Sequence, residues 1–159
     1  MSRITTLHHA ATPDLVDVAR ELIREYAAMS HVVGRWVDPE REINVLPRRY
    51  APPSGLILIA KDGDEAIGCG CICGFDEPGV CEMKRLYVRP PARGQGVGEL
   101  LVCALVDQAR HLGYSTMRLD TAAELTATQA LYQRLGFMPI PHYRDGLFPN
   151  DLCYQLRLV

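Results

Sequence analysis

The sequence predicts a mixed α/β fold in a single domain over residues 1–159: a central mixed sheet flanked by helices. Three observations predict it. The chain has 159 residues, the size of one ordinary domain. Its apolar residues recur at helical spacing in some segments and cluster or alternate as in strands in others. The segments follow the order β, α, α, three strands, α, β, α, β, β, which calls for strands and helices layered on one core. No internal repeat, low-complexity tract or interdomain linker interrupts that order.

A short strand is expected at Ile4 to Leu7. Helix one follows, because Leu15, Val18, Ala19, Leu22, Ile23 and Tyr26 recur at helical spacing after Thr12 as N-cap and Pro13 at the first helical position. A weaker helical pattern, Arg41 to Leu46, is punctuated by Pro39, Pro47, Pro52 and Pro53, which predicts a short helix between loops. Gly55 to Lys61 and Ala66 to Phe75 are predicted to pair as a hairpin through Asp62-Gly63-Asp64. Glu82 to Val88 is the next strand. From Gly96 a helix runs through Val97, Leu101, Ala104, Leu105 and Leu112 to Gly113, and the strand Thr116 to Asp120 follows. Leu125, Thr128, Leu131, Tyr132 and Leu135 line a last helix that stops at Gly136, before strands near Phe137 to Ile140 and Leu152 to Leu158.

At 48% hydrophobic and 23% charged residues the chain is too apolar to be disordered. A formal net charge of -2 leaves no cationic excess for a phosphate backbone, so no nucleic-acid partner is expected. Met1 to Ala10 is polar and lacks a signal core, and the longest clean apolar run, Gly55 to Ala60, is far too short for a membrane span. The expectation is a cytoplasmic protein with no membrane partner; a homodimer stays open. Six cysteines could form three disulfides, but Cys69, Cys71 and Cys73 alternate as same-face residues of a strand, which predicts reduced, buried thiols. The same alternation does not converge on a tetrahedral metal site, and the five histidines are scattered, so no metal is expected.

The most informative stretch runs Leu86-Tyr87-Val88-Arg89-Pro90-Pro91-Ala92-Arg93-Gly94-Gln95-Gly96-Val97-Gly98. A strand leads through a proline-stiffened link into glycines that open a helix. Glycines without Cβ atoms allow close approach, and the free N–H groups of a helix start suit a phosphate or pyrophosphate. The alternative is a bare strand-to-helix turn. The P-loop is excluded by the absence of Gly-Lys-Ser/Thr, and the dinucleotide fingerprint fails because Glu99 stands at its third glycine.

Arg93, Gly96 and Gly98 spell Arg-x-x-Gly-x-Gly, and Ala130-Leu131-Tyr132-Gln133-Arg134-Leu135-Gly136-Phe137 follows at the customary distance. With both elements the chain resembles the GNAT superfamily of acyl-CoA-dependent N-acyltransferases over its C-terminal two thirds. The resemblance implies a mostly antiparallel mixed sheet, splayed between its fourth and fifth strands to form a V-shaped slot. It implies that the loop Arg93, Gly94, Gln95, Gly96, Val97 and Gly98 holds the pyrophosphate of coenzyme A, and that Leu86, Tyr87 and Val88 lend backbone groups to the pantetheine arm and acyl carbonyl. Acetyl-CoA is then the acyl donor, with no metal. Where many members carry Asn, seven positions before the tyrosine, this chain has Leu125, which removes one polar contact.

Acyl transfer from a thioester needs a neutral amine, a stabilised oxyanion and a proton for the thiolate. Glu82 matches, by its distance to Val88, the general base of the family's histone-acetylating branch; the alternative is a strand-end carboxylate paired with Lys84 or an Arg. Tyr132 matches the tyrosine that can protonate the leaving thiolate; the alternative is a core aromatic. The resemblance places the acceptor between the loop joining the first two helices and the C-terminal strands, where Arg35, Trp36, His142, Tyr143, Arg144 and Asp145 are regional candidates. Acetyl transfer to a primary amine of a small molecule is expected, by direct attack in a ternary complex. The alternatives are a protein amine as acceptor, or a non-catalytic acyl-CoA-binding or regulatory domain.

Overall fold

The computed structural model describes residues 4–159; Met1, Ser2 and Arg3, part of the stretch read above as lacking a signal core, lie outside the described residues. The strands are β1 (Thr5–His9), β2 (Leu56–Asp62), β3 (Glu65–Gly74), β4 (Val80–Val88), β5 (Thr116–Thr121), β6 (Met138–Ile140) and β7 (Leu152–Arg157). The helices are α1 (Pro13–Ala27), α2 (Pro39–Ile43), α3 (Val97–His111) and α4 (Thr126–Arg134). The element order is the expected one; several boundaries move. The strand β4 begins at Val80, two residues before Glu82, so Glu82 lies within the strand instead of opening it. The helix α2 starts at Pro39, because proline's fixed φ suits the first helical position better than the interior.

Local chemistry sets the ends. Thr12 caps α1, its hydroxyl accepting from the Leu15 amide at 3.3 Å. Gly113, at φ +91°, takes the left-handed conformation that closes α3. The hairpin of β2 and β3 turns tightly at Gly63-Asp64, with Gly63 at φ +61°.

All seven strands share one sheet in the order β1-β2-β3-β4-β5-β7-β6, and only β4 and β5 run parallel. Period-two alternation sends Ile57 and Ile59 to one face, against α1, α2 and Tyr50, and Leu56 and Leu58 to the other, against α3 and Tyr132 of α4. The run Gly68-Cys69-Gly70-Cys71-Ile72-Cys73 separates the same way. Its cysteines pack toward α1, while Gly70 faces α3 so closely that a Cβ would lie 2.6 Å from a Leu105 methyl carbon. Five of the six thiols are buried and free, as expected, and burial pushes Cys69 and Cys81 up to about 12, which keeps them neutral. Cys103 departs from the expectation: it sits on the solvent side of α3.

Candidate functional site

The site begins where two strands part. The parallel pairing of β4 with β5 covers only Val80 to Glu82 against Thr116 to Arg118, and beyond it the strands diverge into a cleft of about 720 Å³. A bulge drives the divergence. The register between β3 and β4 slips opposite Gly70, and Arg85 sits there at φ +58°. A left-handed non-glycine residue costs about 1–2 kcal/mol, so something must hold it. Glu42 of α2 accepts from Arg85 Nε and Nη2 at 3.0 and 3.1 Å, and the guanidinium stacks 3.5 Å from the centre of the Trp36 ring.

The glycine-rich loop closes one end of the cleft. Gly94 and Gly96 have φ +75° and +81°, and a Cβ at either would meet nothing within 4 Å. Gly96 is the N-cap residue of α3 and brings no side chain to its free amides, so the first turn, Val97 to Glu99, offers N–H donors and the positive end of the helix dipole. The room, the bare amides and the dipole fit a phosphate group. Of the loop residues, Arg93, Gly94, Gly96, Val97 and Gly98 line the cleft; the Gln95 side chain turns back to donate to the Pro91 carbonyl at 3.1 Å.

Along the wall, the Arg89 amide donates to the Ile67 carbonyl at 2.8 Å, which fixes the alternation of β4. Arg89 and Tyr87 direct their backbone groups to β3, while Leu86 and Val88 direct theirs into the gap. Tyr87 is therefore corrected as a backbone contact: its main chain belongs to the sheet, and its hydroxyl donates to Glu25 at 3.0 Å. The Val88 carbonyl is also engaged, by Arg93 Nε at 2.9 Å. The Leu86 amide and carbonyl and the Val88 amide are left facing the cleft.

The opposite wall is β5 and α4. The Tyr132 ring is buried against Phe137 and Tyr154, with centroids 5.5 and 6.1 Å away. Among the described residues no buried side-chain polar atom lacks a partner, and no hydrogen bond engages the Tyr132 hydroxyl, so that hydroxyl opens on the cleft it lines. Burial pushes its phenol well above the ordinary value, so it stays protonated at any working pH. Leu125, at the start of α4, adds an apolar contact to the same wall.

Glu82, expected as the general base directly or through water, does not itself line the cleft. It is 3% exposed, behind the cleft wall instead of on it. Tyr143 donates to it at 2.6 Å, and Lys84 Nζ lies 3.3 Å away. Asp120 lines the wall at the far end of β5, where Arg144 Nη2 bonds it at 2.9 Å and Lys84 approaches to 3.5 Å. Burial acts to raise Asp120, but the Lys84 and Arg144 charges outweigh it and hold the carboxyl below its ordinary range.

Arg35, Trp36 and Arg144, among the regional candidates, line the cleft; His142 bonds the Asp151 carbonyl at 2.6 Å, and Asp145 gives its carbonyl to Arg144. Arg35 pairs with the buried Asp151 and lies 4.4 Å from the centre of the Phe148 ring, which ties the loop after α1 to the loop before β7. Sequence reasoning missed Glu42, Arg49, Arg85 and Asp120. For Asp120 a signal existed, a charge ending an alternating strand at the expected opening; for the others none did. Among the described residues no group of His, Cys, Asp or Glu could hold a metal, and no helix is long and apolar enough to cross a membrane.

Residues 17–137 match the family described as Acetyltransferase (GNAT). The chain is 36% identical over 147 residues to an uncharacterized N-acetyltransferase of Schizosaccharomyces pombe, covering 92% of this chain and 90% of that one. It superposes on an acetyltransferase of the GNAT family from Staphylococcus aureus with a TM-score of 0.81 at 14% identity, over 98% of this chain and 100% of the other. A Salmonella typhimurium structure solved with its cofactor acetyl-CoA gives 0.75 at 20% identity, over 98% and 94%.

Proposed function

The chain belongs to the acetyltransferase (GNAT) family, and from that premise we propose that it transfers the acetyl group of acetyl-CoA to the primary amine of a small molecule, by direct attack within a ternary complex. One observation carries the reading: a single cleft joins a bare helix N-terminus, two free strand-edge amides and an open tyrosine hydroxyl. The Salmonella relative's acetyl-CoA supports the choice of donor. The Arg35–Asp151 bridge between the two loops at the acceptor end supports a small acceptor over a protein surface.

In the reaction a bond forms from the amine nitrogen to the acetyl carbon, the carbon–sulfur bond breaks, and the thiolate takes a proton. The Gln95 to Gly98 amides hold the pyrophosphate, and Leu86 and Val88 offer their amides to the pantetheine and the carbonyl oxygen. Asp120 holds the acceptor's ammonium group at the wall and passes its proton to water. Tyr132 supplies the proton to sulfur and is restored by the second proton that the nitrogen sheds as the amide forms. Glu82 touches neither reactant; it fixes Lys84 and Tyr143 and acts as a positioning residue. Glu82→Gln is then expected to lower kcat/KM about tenfold at every pH by loosening that geometry. A loss concentrated at low pH would return Glu82 to the role of base.

The reading is tested by following thiol release from acetyl-CoA in the presence of a panel of amines. Amine-dependent release supports an enzyme; binding of acetyl-CoA without release would make the chain a binding domain. The donor site has its own test. A valine at Gly96 would strain the backbone at φ +81°, whereas at Gly98 the φ is ordinary and a Cβ would only touch Leu131 and Val88, both 3.9 Å away. Gly98→Leu should fold, with a melting temperature at or above that of the native chain because it removes a helical glycine. It should weaken coenzyme A at least tenfold by calorimetry, and unchanged affinity would reject the loop as the pyrophosphate site.

A further inference from the structure

Transferring an acetyl group does not require positive charge at the acceptor end of the cleft, yet the wall there is cationic. Arg35, Arg49, Lys84, Arg85 and Arg144 line it, against two carboxylates, Asp120 and Asp151. Asp151 is buried and taken by Arg35, and Arg85 is taken by Glu42. The least satisfied charge is Arg49, 42% exposed; Arg144, 30% exposed, stands beside it with its nitrogens engaged. Arg49 spends Nη1 on Glu42 at 3.0 Å, while its Nη2 stops 3.9 Å from Glu82. Arg144 spends Nε and Nη2 on Asp120 and Nη1 on the Asp145 carbonyl at 3.0 Å, and its Nε also stops 3.9 Å from Glu82. Two guanidinium groups thus converge on one buried carboxylate, both short of hydrogen-bond range of it, with Asp120 beside them on the wall.

Resting on the acetyl transfer proposed above, we infer that the acceptor is an amine that also carries a carboxylate, such as an amino acid, and that Arg49 reads that carboxylate through its unspent Nη2. Guanidinium N–H groups match a carboxylate's two oxygens, and Asp120 offers the ammonium its counter-charge. With Glu42 and Glu82 pairing from behind, the wall keeps an excess of one positive charge, and a polyamine or a cationic peptide would add only like charge to it, which is disfavoured.

The test compares an amino acid with its carboxamide and with its decarboxylated amine, by acetyl-CoA-dependent thiol release, with a polyamine as fourth acceptor. The amino acid is expected to show at least a tenfold higher kcat/KM, carried mostly by KM. Arg49→Gln should erase that preference while Arg49→Lys keeps part of it, with both melting temperatures measured to account for the Glu42 contact. Equal kcat/KM for the paired acceptors would overturn the inference and leave the transferase reading intact, as would an Arg49→Gln variant that lowers both acceptors by the same factor. Failure of all four acceptors to release thiol while acetyl-CoA binds would overturn the transferase reading itself, and the inference with it.

Discussion

Tyr132→Phe is expected to lose between tenfold and a hundredfold in kcat while coenzyme A affinity and melting temperature hardly change. The substitution keeps the ring that packs on Phe137 and Tyr154 and deletes a hydroxyl that no protein group engages, so packing and hydrogen bonding in the folded state are preserved. General acid assistance is typically worth about 10² to 10⁴ in rate. The loss expected here lies at or below the bottom of that range, because burial raises the phenol and makes it a more reluctant donor to the thiolate. Single-turnover measurements separate this loss from product release. A kcat within about a factor of two, with chemistry limiting, would reduce Tyr132 to a packing residue and leave water to protonate the sulfur.

Glu42→Gln should cost about 3 kcal/mol of stability in denaturant titrations, although Glu42 lies outside both sequence motifs. Its carboxylate accepts from Arg85 twice, from Arg49 at 3.0 Å and from the Tyr50 hydroxyl at 2.9 Å. Removing one partner of a buried pair strands the other charge, a loss of about 3–5 kcal/mol, and glutamine's remaining oxygen recovers a little of it. Burial acts to raise Glu42, but the Arg85, Arg49 and Tyr50 contacts outweigh it and leave its pKa below the ordinary value. A depressed carboxyl stabilises the fold fully above its unfolded value, about 4.3, and loses that contribution as the pH falls through the folded value. The melting temperature of the native chain should therefore drop below about pH 4, and Glu42→Gln should show less of that drop. The variant should also bind coenzyme A more weakly, since Arg85 is released from the bulge that opens the cleft. A cost under about 1 kcal/mol with a full acid limb would mean that the bulge holds without Glu42.

Order and periodicity were legible in the chain because they are local. Thr12 before Pro13, glycines after α3 and α4, and the Gly-Cys alternation of β3 each state their structure through neighbours a few residues away. The glycine turn and the tyrosine element were readable for the same reason, since each is a short run whose chemistry sits on consecutive residues. The resemblance they carry gave the family and the place of the cleft.

What the sequence by itself determined was the set of elements and the family, and it carried the glycine turn and the tyrosine element on consecutive residues. Only the tertiary structure decided which backbone groups of β4 face the gap, because that depends on pairing with β3 and not on residue type. It alone decided that Glu82 is covered and that Asp120 lines the cleft, since both are acidic strand residues and differ only in what packs over them. It alone joined Glu42 to Arg85, 43 positions apart, and set Arg49 beside Arg144 at the acceptor end. Charges that meet through space leave no period in the chain.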